Sequence, residues 1–532
     1  MKALAAIRAL SLDPGWTVGA LAVVPVSLAI VMINFTDGEL ATAFSTILLF
    51  LLLLSIWKLP LRYPAIALIF LCLMLECPAE KVACGLYESP LYPLGEIFLQ
   101  NLNTKFGIAK LAFSGLDLTF GLLVLTILWR RAHGLRIDRA GQTQTATPLG
   151  PLAILALLAV LGSWVWGLTH GGQFKPSLWQ IQKILYVPAM FFLLQAVLRG
   201  PEDADAIRWA VIAAALFKAV RGIYVQLFVF TKLLEHSGGE LPYVTAHSDS
   251  MLFAWASVMV FARLAEKTDT KRVLTCFLVL PLIFWVMIAN NRRIVWVSLT
   301  FSLILIYSLS PGTKLKRAVG RGFILSLPLL ILYMAAGWHS TAGVFAPVKT
   351  VRSIVESDSD SSTKWRDGEN YNLLFTWRLR PVLGHGFGKE YVEAQPLPDI
   401  SNLYPMYRYN PHNSLLGLLA FMGILSLSIW WLSLAATVFF AARSYRLLSR
   451  WQDRSTALWC ICGVIVCMNQ LYGDIGVSSW TTVFILGSSM AMAGKLAVAS
   501  GAWPVSMRRA GVSNPRAQPA PVLQLPQPQA TS

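Results

Sequence analysis

Long apolar blocks set the first limit on what this chain can fold into. Runs of roughly 17–25 apolar residues recur between residues 15 and 499, the length that crosses a hydrocarbon core of about 30 Å as a helix. Lipid offers the backbone no hydrogen-bond partners, so such blocks must be helical. The alternating ten-residue segments of a β-barrel do not occur. With 56% hydrophobic and 13% charged residues, the expected fold class is an all-α integral membrane protein. Fourteen spans are expected at about 15–34, 41–57, 62–77, 110–129, 149–168, 177–198, 206–230, 250–265, 273–289, 293–310, 320–337, 412–442, 456–473 and 479–499, and twelve to fourteen is the working range.

The formal charge of +17 does not indicate a nucleic-acid partner, because the excess lies in short loops between spans. Alternate loops carry it: Lys58 and Arg62; Arg130, Arg131, Arg136 and Arg139; Arg263, Lys267, Lys271 and Arg272; Lys314, Lys316, Arg317 and Arg321; Arg443, Arg446, Arg450 and Arg454. By the positive-inside rule these loops and both termini are expected in the cytoplasm. The basic N-terminus lacks the short apolar core and cleavage site of a removed signal, so the first span is expected to be retained. Cys77 and Cys84 flank a polar stretch on the opposite side and form a candidate disulfide; the other five cysteines read as packing residues. No zinc-type spacing and no P-loop occurs, and no metal or cofactor is expected. Asp358 and Asp360 belong to a Ser/Asp-rich stretch that reads as loop.

Four groups of residues carry possible chemistry, all on the expected outer side or within spans. His412, in PHNSLLG, stands where a loop meets a span; an imidazole there can accept a proton near neutral pH, and Asn413 and Ser414 suit a helix cap. Arg366 opens a helical pattern through Trp377. Pro381 stops it, and Gly384, Gly386 and Gly388 read as a flexible turn around His385. Asn290, Asn291, Arg292 and Arg293 form a tight hairpin whose two arginines break the charge trend, pointing either to an anionic headgroup or to snorkelling. Lys183, Lys218 and Arg221 are cations inside spans, where a bound diphosphate or a structural carboxylate would have to match them. His247 and Asp249 read more readily as a helix cap than as site members.

The stretch 280–442 resembles the O-antigen ligase and polymerase superfamily of bacterial inner membranes. PVLGHGFG (Pro381–Gly388) and PHNSLLG (Pro411–Gly417) match its glycine turn and His-Asn span entry, and Arg366 stands fifteen residues before Pro381. Asn291-Arg292-Arg293 replaces the usual Ser-Arg, with Trp296 favouring Arg293 as the equivalent, and Asn370 stands where many members carry tryptophan. The resemblance implies glycosyl transfer from a polyprenyl-diphosphate-linked glycan to an acceptor hydroxyl on the periplasmic side, without a metal. It implies His412 as general base, with Arg293, Arg366 and Arg292 holding the diphosphate. Asn413, Lys183, Lys218, Arg221 and His247 are the further candidates for substrate contact. The expected partners are the lipid-linked donor, a glycan or lipid-linked acceptor, membrane lipids and other assembly proteins. The expected organisation is a transmembrane helix bundle (1–337), a large, partly helical periplasmic loop (338–411), closing transmembrane helices (412–500) and a disordered cytoplasmic tail (501–532). A transporter or flippase for a lipid-linked or anionic solute is the alternative, since buried cations in many spans also describe such proteins.

Overall fold

The computed structural model describes residues 27, 30, 40–76, 89, 91–108, 113–134, 147–230, 243–290, 292–340, 343–345, 348, 351–352, 361–401, 404 and 406–503. The span expected at 15–34 lies outside these residues apart from 27 and 30, which are helical. The Cys77–Cys84 pair, Asp358, Asp360, Asn291 and the tail beyond 503 lie outside them as well.

Every other expected span is a helix. In chain order they are α1 (Leu40–Lys58), α2 (Arg62–Met74), two short helices α3 (Tyr92–Leu99) and α4 (Leu102–Phe106), α5 (Gly115–Ala132), α6 (Gly150–Thr169), α7 (Phe174–Val197) and α8 (Ala204–Tyr224). Then follow α9 (Asp249–Glu266), α10 (Thr270–Ala289), α11 (Arg293–Leu309), α12 (Lys314–Gly337), α13 (Ser361–Leu379), α14 (Ser414–Leu447), α15 (Trp451–Gly473) and α16 (Trp480–Ala499). Among the described residues, eight are long and apolar enough to cross a membrane and three shorter apolar helices accompany them. Helices α3 and α4 were not foreseen, because a short run of mixed polarity gives no span signal.

Helices α7, α9, α15 and α16 form the buried centre, with α16 packed on α7 and α15, and α9 on α15 and α11. Outward side chains remain apolar: Phe277 and Leu325 are 72% and 77% exposed, which suits a lipid surface and not water. The chain is therefore an all-α integral membrane protein. Helix direction puts the 243–248 segment, Arg292, α13, His412 and Asp474 at one end of the bundle. The basic loops lie at the other.

Helix α14 is broken at Gly423 (φ 68°, ψ 177°), and the break is filled by the turn that follows α13. Ile424 and Leu425 donate their N–H groups to the carbonyls of Pro381 and Val382 (2.9 and 3.2 Å). The carbonyls of Ala420 and Phe421 accept from His385 and Gly386 (2.8 and 2.9 Å). The groups that a helix break leaves open are thus satisfied by a crossing strand of backbone. The contact demands glycine on both sides. A Cβ on Gly384 (φ 75°) would sit 2.4 Å from the Gly423 nitrogen and the Phe421 oxygen, and one on Gly386 (φ 88°) would sit 2.3 Å from the Gly167 Cα. The turn expected to be flexible is instead wedged between α6 and α14, because its glycines serve close approach as well as positive φ.

Two outcomes follow from this wedge. Gly384→Ala should lower stability by about 1–3 kcal/mol, read as a drop in the thermal midpoint of the detergent-solubilised protein. Gly107→Ala, also at positive φ (66°) but with open space around it, should cost less; equal losses would mean that packing at the turn contributes nothing. The second concerns His385, whose pKa is pushed down to about 4, first by burial and then by Lys389 and Arg380. The unfolded chain, with an ordinary imidazole near 6.5, binds this proton more readily. Stability should therefore be fully present above about pH 6.5 and fall as the pH drops toward 4. His385→Gln should flatten that part of the melting-temperature profile, and an unchanged slope would exclude His385 as its source.

Candidate active site

Helix α13 presents Trp365, Arg366 and Glu369 on one face, since positions three apart share a helix side. It is held there by its own buried polar residues. Asn372 exchanges two hydrogen bonds with the Gln395 backbone (2.7 and 2.8 Å), and the Thr376 hydroxyl accepts from Val392 N–H (2.8 Å). Arg408 closes the returning loop through Glu393 (2.8 Å).

Glu369 is fully buried and turned toward His412. Its Oε2 accepts the His412 backbone N–H at 3.0 Å, and its Oε1 lies 3.4 Å from His412 Nδ1. The Trp365 ring stands edge-on to the imidazole at 5.0 Å and the Tyr404 ring at 6.4 Å. Asn413 caps α14 by accepting the Leu416 N–H (3.1 Å). Ser414 does not share that role: its hydroxyl donates to the Asp474 carbonyl (3.3 Å) and accepts from Val477 N–H (3.2 Å). His412 is thus fixed from two directions, by α13 and by the start of α14. A carboxylate only accepts hydrogen bonds, so the Nδ1 that faces Glu369 carries the proton and Nε2 is left as the acceptor.

A second cluster lies beside it. His247 Nδ1 is 2.9 Å from Asp474 Oδ2, and Arg292 donates to His247 Nε2. Because a guanidinium can only donate, Nε2 accepts and Nδ1 donates, so the imidazole is neutral and both nitrogens are used. Gln470 and the Ile475 N–H also donate to Asp474 (3.3 and 2.9 Å). Burial alone would raise the Asp474 carboxyl. The hydrogen bond from His247, the charge of Arg366 and the Ile475 N–H outweigh it and hold the group well below the usual carboxylate range. Arg366 donates to the Gly473 carbonyl at 3.1 Å. The two clusters therefore share the turn after α15, residues 473–478.

Of the adjacent arginines, Arg292 reaches this cluster. It lies over the Tyr243 ring at 4.4 Å, and its buried Nε has no hydrogen-bond partner among the described residues. Arg293 begins α11 and is half-buried. Asn290 pins the incoming 243–248 segment by accepting the N–H groups of Val244 and Thr245 (both 3.1 Å). His247 and Asp249 do not act as a helix cap, contrary to the sequence reading. Ser248 holds the cap position without a side-chain bond, and Asp249 is buried against Lys218.

The remaining candidates have partners other than His412. Lys218 pairs with Asp249 and Arg221 with Glu76, so carboxylates match the buried cations, as a low-dielectric interior requires. Lys183 faces the Trp480 ring at 5.4 Å. Among the described residues no group of three or more His, Cys, Asp and Glu suits a metal ion.

Glu369 and Asp474 escaped the sequence reading. Glu369 sits one turn beyond Arg366 on the same face, a spacing that could have drawn attention to it. Asp474 is an acid in the short hairpin before the last span, the same kind of exception that singled out Arg292 and Arg293.

No curated protein matches the chain significantly. The family of O-antigen ligases does match, over residues 276–431, under a third of the chain. That stretch holds Arg292, Arg293, Arg366, Glu369, the glycine turn and His412, while His247 and Asp474 come from outside it. This domain match supports the O-antigen ligase-like superfamily and a membrane enzyme of the ligase or polymerase type in polysaccharide assembly.

Proposed function

We propose that the chain transfers a glycan from a polyprenyl diphosphate to an acceptor hydroxyl, without a metal, at the His412 end of the bundle. The observation that carries this reading is the convergence on the 473–478 turn of Arg366 directly, of Arg292 through His247, and of Ser414, two residues beyond His412, whose Nδ1 is held by Glu369. His412 Nε2 takes the proton of the acceptor hydroxyl as its oxygen bonds to the anomeric carbon. The bond from that carbon to the diphosphate oxygen breaks, and the polyprenyl diphosphate leaves as an anion. Direct attack inverts the anomeric configuration. Arg292 and Arg366 face the leaving group, and fixed guanidinium groups in a partly dry site stabilise its charge. Arg293, next in the chain, is the further diphosphate contact, and Asn413 sets the position of His412 through the helix cap.

In this reading Glu369 fixes the tautomer of His412, and His247 with Asp474 positions Arg292. Lys218, Arg221 and Lys183 support the bundle beneath. The positive-inside rule puts the opposite, basic end in the cytoplasm, so the site faces the periplasm of an inner-membrane protein. A transporter would need its buried cations for solute. Their pairing with Asp249 and Glu76 favours the enzyme.

Reconstituted with a lipid-linked glycan and acceptor in the presence of EDTA, the parent protein should keep its full rate. His412→Ala should lose about 10²–10⁴-fold, and Glu369→Gln should lower kcat with little change in KM. Undiminished transfer by His412→Ala would move the base elsewhere. Arg292→Lys should cost about 10²-fold, because an ammonium cannot reproduce the planar fork, and Arg293→Lys should cost less. The reverse order would assign the principal diphosphate contact to Arg293.

A further inference from the structure

At the end of the bundle opposite His412, a cavity of about 180 Å³ lies between the ends of α8, α9 and α10. Its lining includes Arg208, Arg263, Lys271 and Arg272 against the single carboxylate of Asp205. Arg208 and Arg263 both turn to that carboxylate, so two guanidinium groups share one negative charge. Arg272 pairs with Asp269. Three of these cations are largely withdrawn from water, with side-chain exposures of 6%, 13% and 16% for Arg208, Arg263 and Arg272.

An indole holds them close together. The Arg272 and Arg263 guanidinium carbons lie 3.9 and 4.9 Å from the Trp451 ring centre, and the Lys267 ammonium lies 5.6 Å from it. Cation–π attraction offsets part of the repulsion among them, but like charges this near one another still oppose folding. The buried Nε atoms of Arg263 and Arg272 have no hydrogen-bond acceptor among the described residues. A half-buried cavity with excess positive charge and unmet donors favours an anion. Trp209 stands half exposed at its rim, the place where indoles mark a membrane boundary.

We propose that this cavity binds a phosphate group, carried by an anionic phospholipid of the leaflet at the basic end. Guanidinium groups suit phosphate oxygens through paired N–H donors, and basic pockets between helices at the cytoplasmic boundary suit lipid headgroups. The site is separate from the proposed glycan chemistry and stands on different residues.

The test is native mass spectrometry of the full chain released from nanodiscs containing equal amounts of phosphatidylglycerol and phosphatidylcholine. Phosphatidylglycerol should be retained preferentially. Arg272→Gln should reduce that retention about fivefold, and the exposed Lys271→Gln should reduce it too without loss of thermal stability. Addition of inorganic phosphate separates the sources: retention that survives it supports a lipid-borne phosphate, and displacement assigns the pocket to free phosphate and overturns the lipid. Equal retention of the two lipids, or unchanged retention in both variants, would overturn the site. Because neither variant touches the His412 end, failure of this proposal leaves the transfer reading intact, and loss of transfer in His412→Ala leaves this one intact.

Discussion

Backbone polarity is the constraint from which the rest of this structure follows. A helix that breaks inside a membrane bundle leaves carbonyls and N–H groups with no water to meet them, and each unmet group costs free energy comparable to a lost hydrogen bond. In α14 the break at Gly423 is met residue for residue by the backbone of 381–386. The break and the turn therefore require each other. Neither could persist alone, and the four bonds between them tie the end of α13 to the first turns of α14. That tie sets the distance between Glu369 on one helix and His412 at the mouth of the other. The same turn is gripped on its far side at the entrance to α7, where the N-cap residue Gln173 donates its N–H to the Gly388 carbonyl at 2.7 Å. Gln180 of α7 holds the loop's other end by donating to the Tyr409 carbonyl at 2.6 Å. A long polar excursion between spans is thereby anchored at both ends before any substrate arrives.

Charge is arranged on a second principle, in which depth decides the partner. Inside the bundle, Lys218 and Arg221 are matched to Asp249 and Glu76, and such pairs hold the bundle in one arrangement because breaking either leaves a buried charge uncompensated. At the His412 end, Arg292 meets neutral His247, and Asp474 lies beyond it. The relay orients the guanidinium without neutralising it by direct contact. A cation whose nearest partner is an uncharged imidazole keeps its attraction for an incoming anion, whereas Lys218 and Arg221 have already given theirs to a carboxylate.

The helices were legible because a 17–25-residue apolar run has one physical solution in lipid. The glycine turn and the His-Asn entry were legible as a motif, yet their mechanics were not. Gly384, Gly386 and Gly388 read alone suggest freedom, and only the facing Gly423 and Gly167 turn them into a close-packed wedge. Nothing in one sequence pairs residue 384 with 423. His247 was misjudged for the same reason: its partners, Arg292 and Asp474, are 45 and 227 positions away. Lys218 and Arg221 were noticed correctly as buried cations, but Glu76 lies far earlier in the chain. The choice between ligand and structural carboxylate had to wait for coordinates.

The family match ends at residue 431, before Asp474, and begins after His247, so the relay that orients Arg292 is built from parts outside the domain. This division has a physical logic. In the proposed transfer, the base and the arginines that face the leaving group must keep fixed chemistry. The groups behind them need only hold a guanidinium in place, and several residue types can accept its hydrogen bonds. The 473–478 turn is where the two sets meet: Arg366 and Ser414, from the matched stretch, bond to the carbonyls of Gly473 and Asp474, while the Asp474 side chain meets His247. A displacement of α15 would therefore move Arg292, Arg366 and the start of α14 together, which makes the last hairpin of the bundle the element that keeps the proposed clamp and base in register.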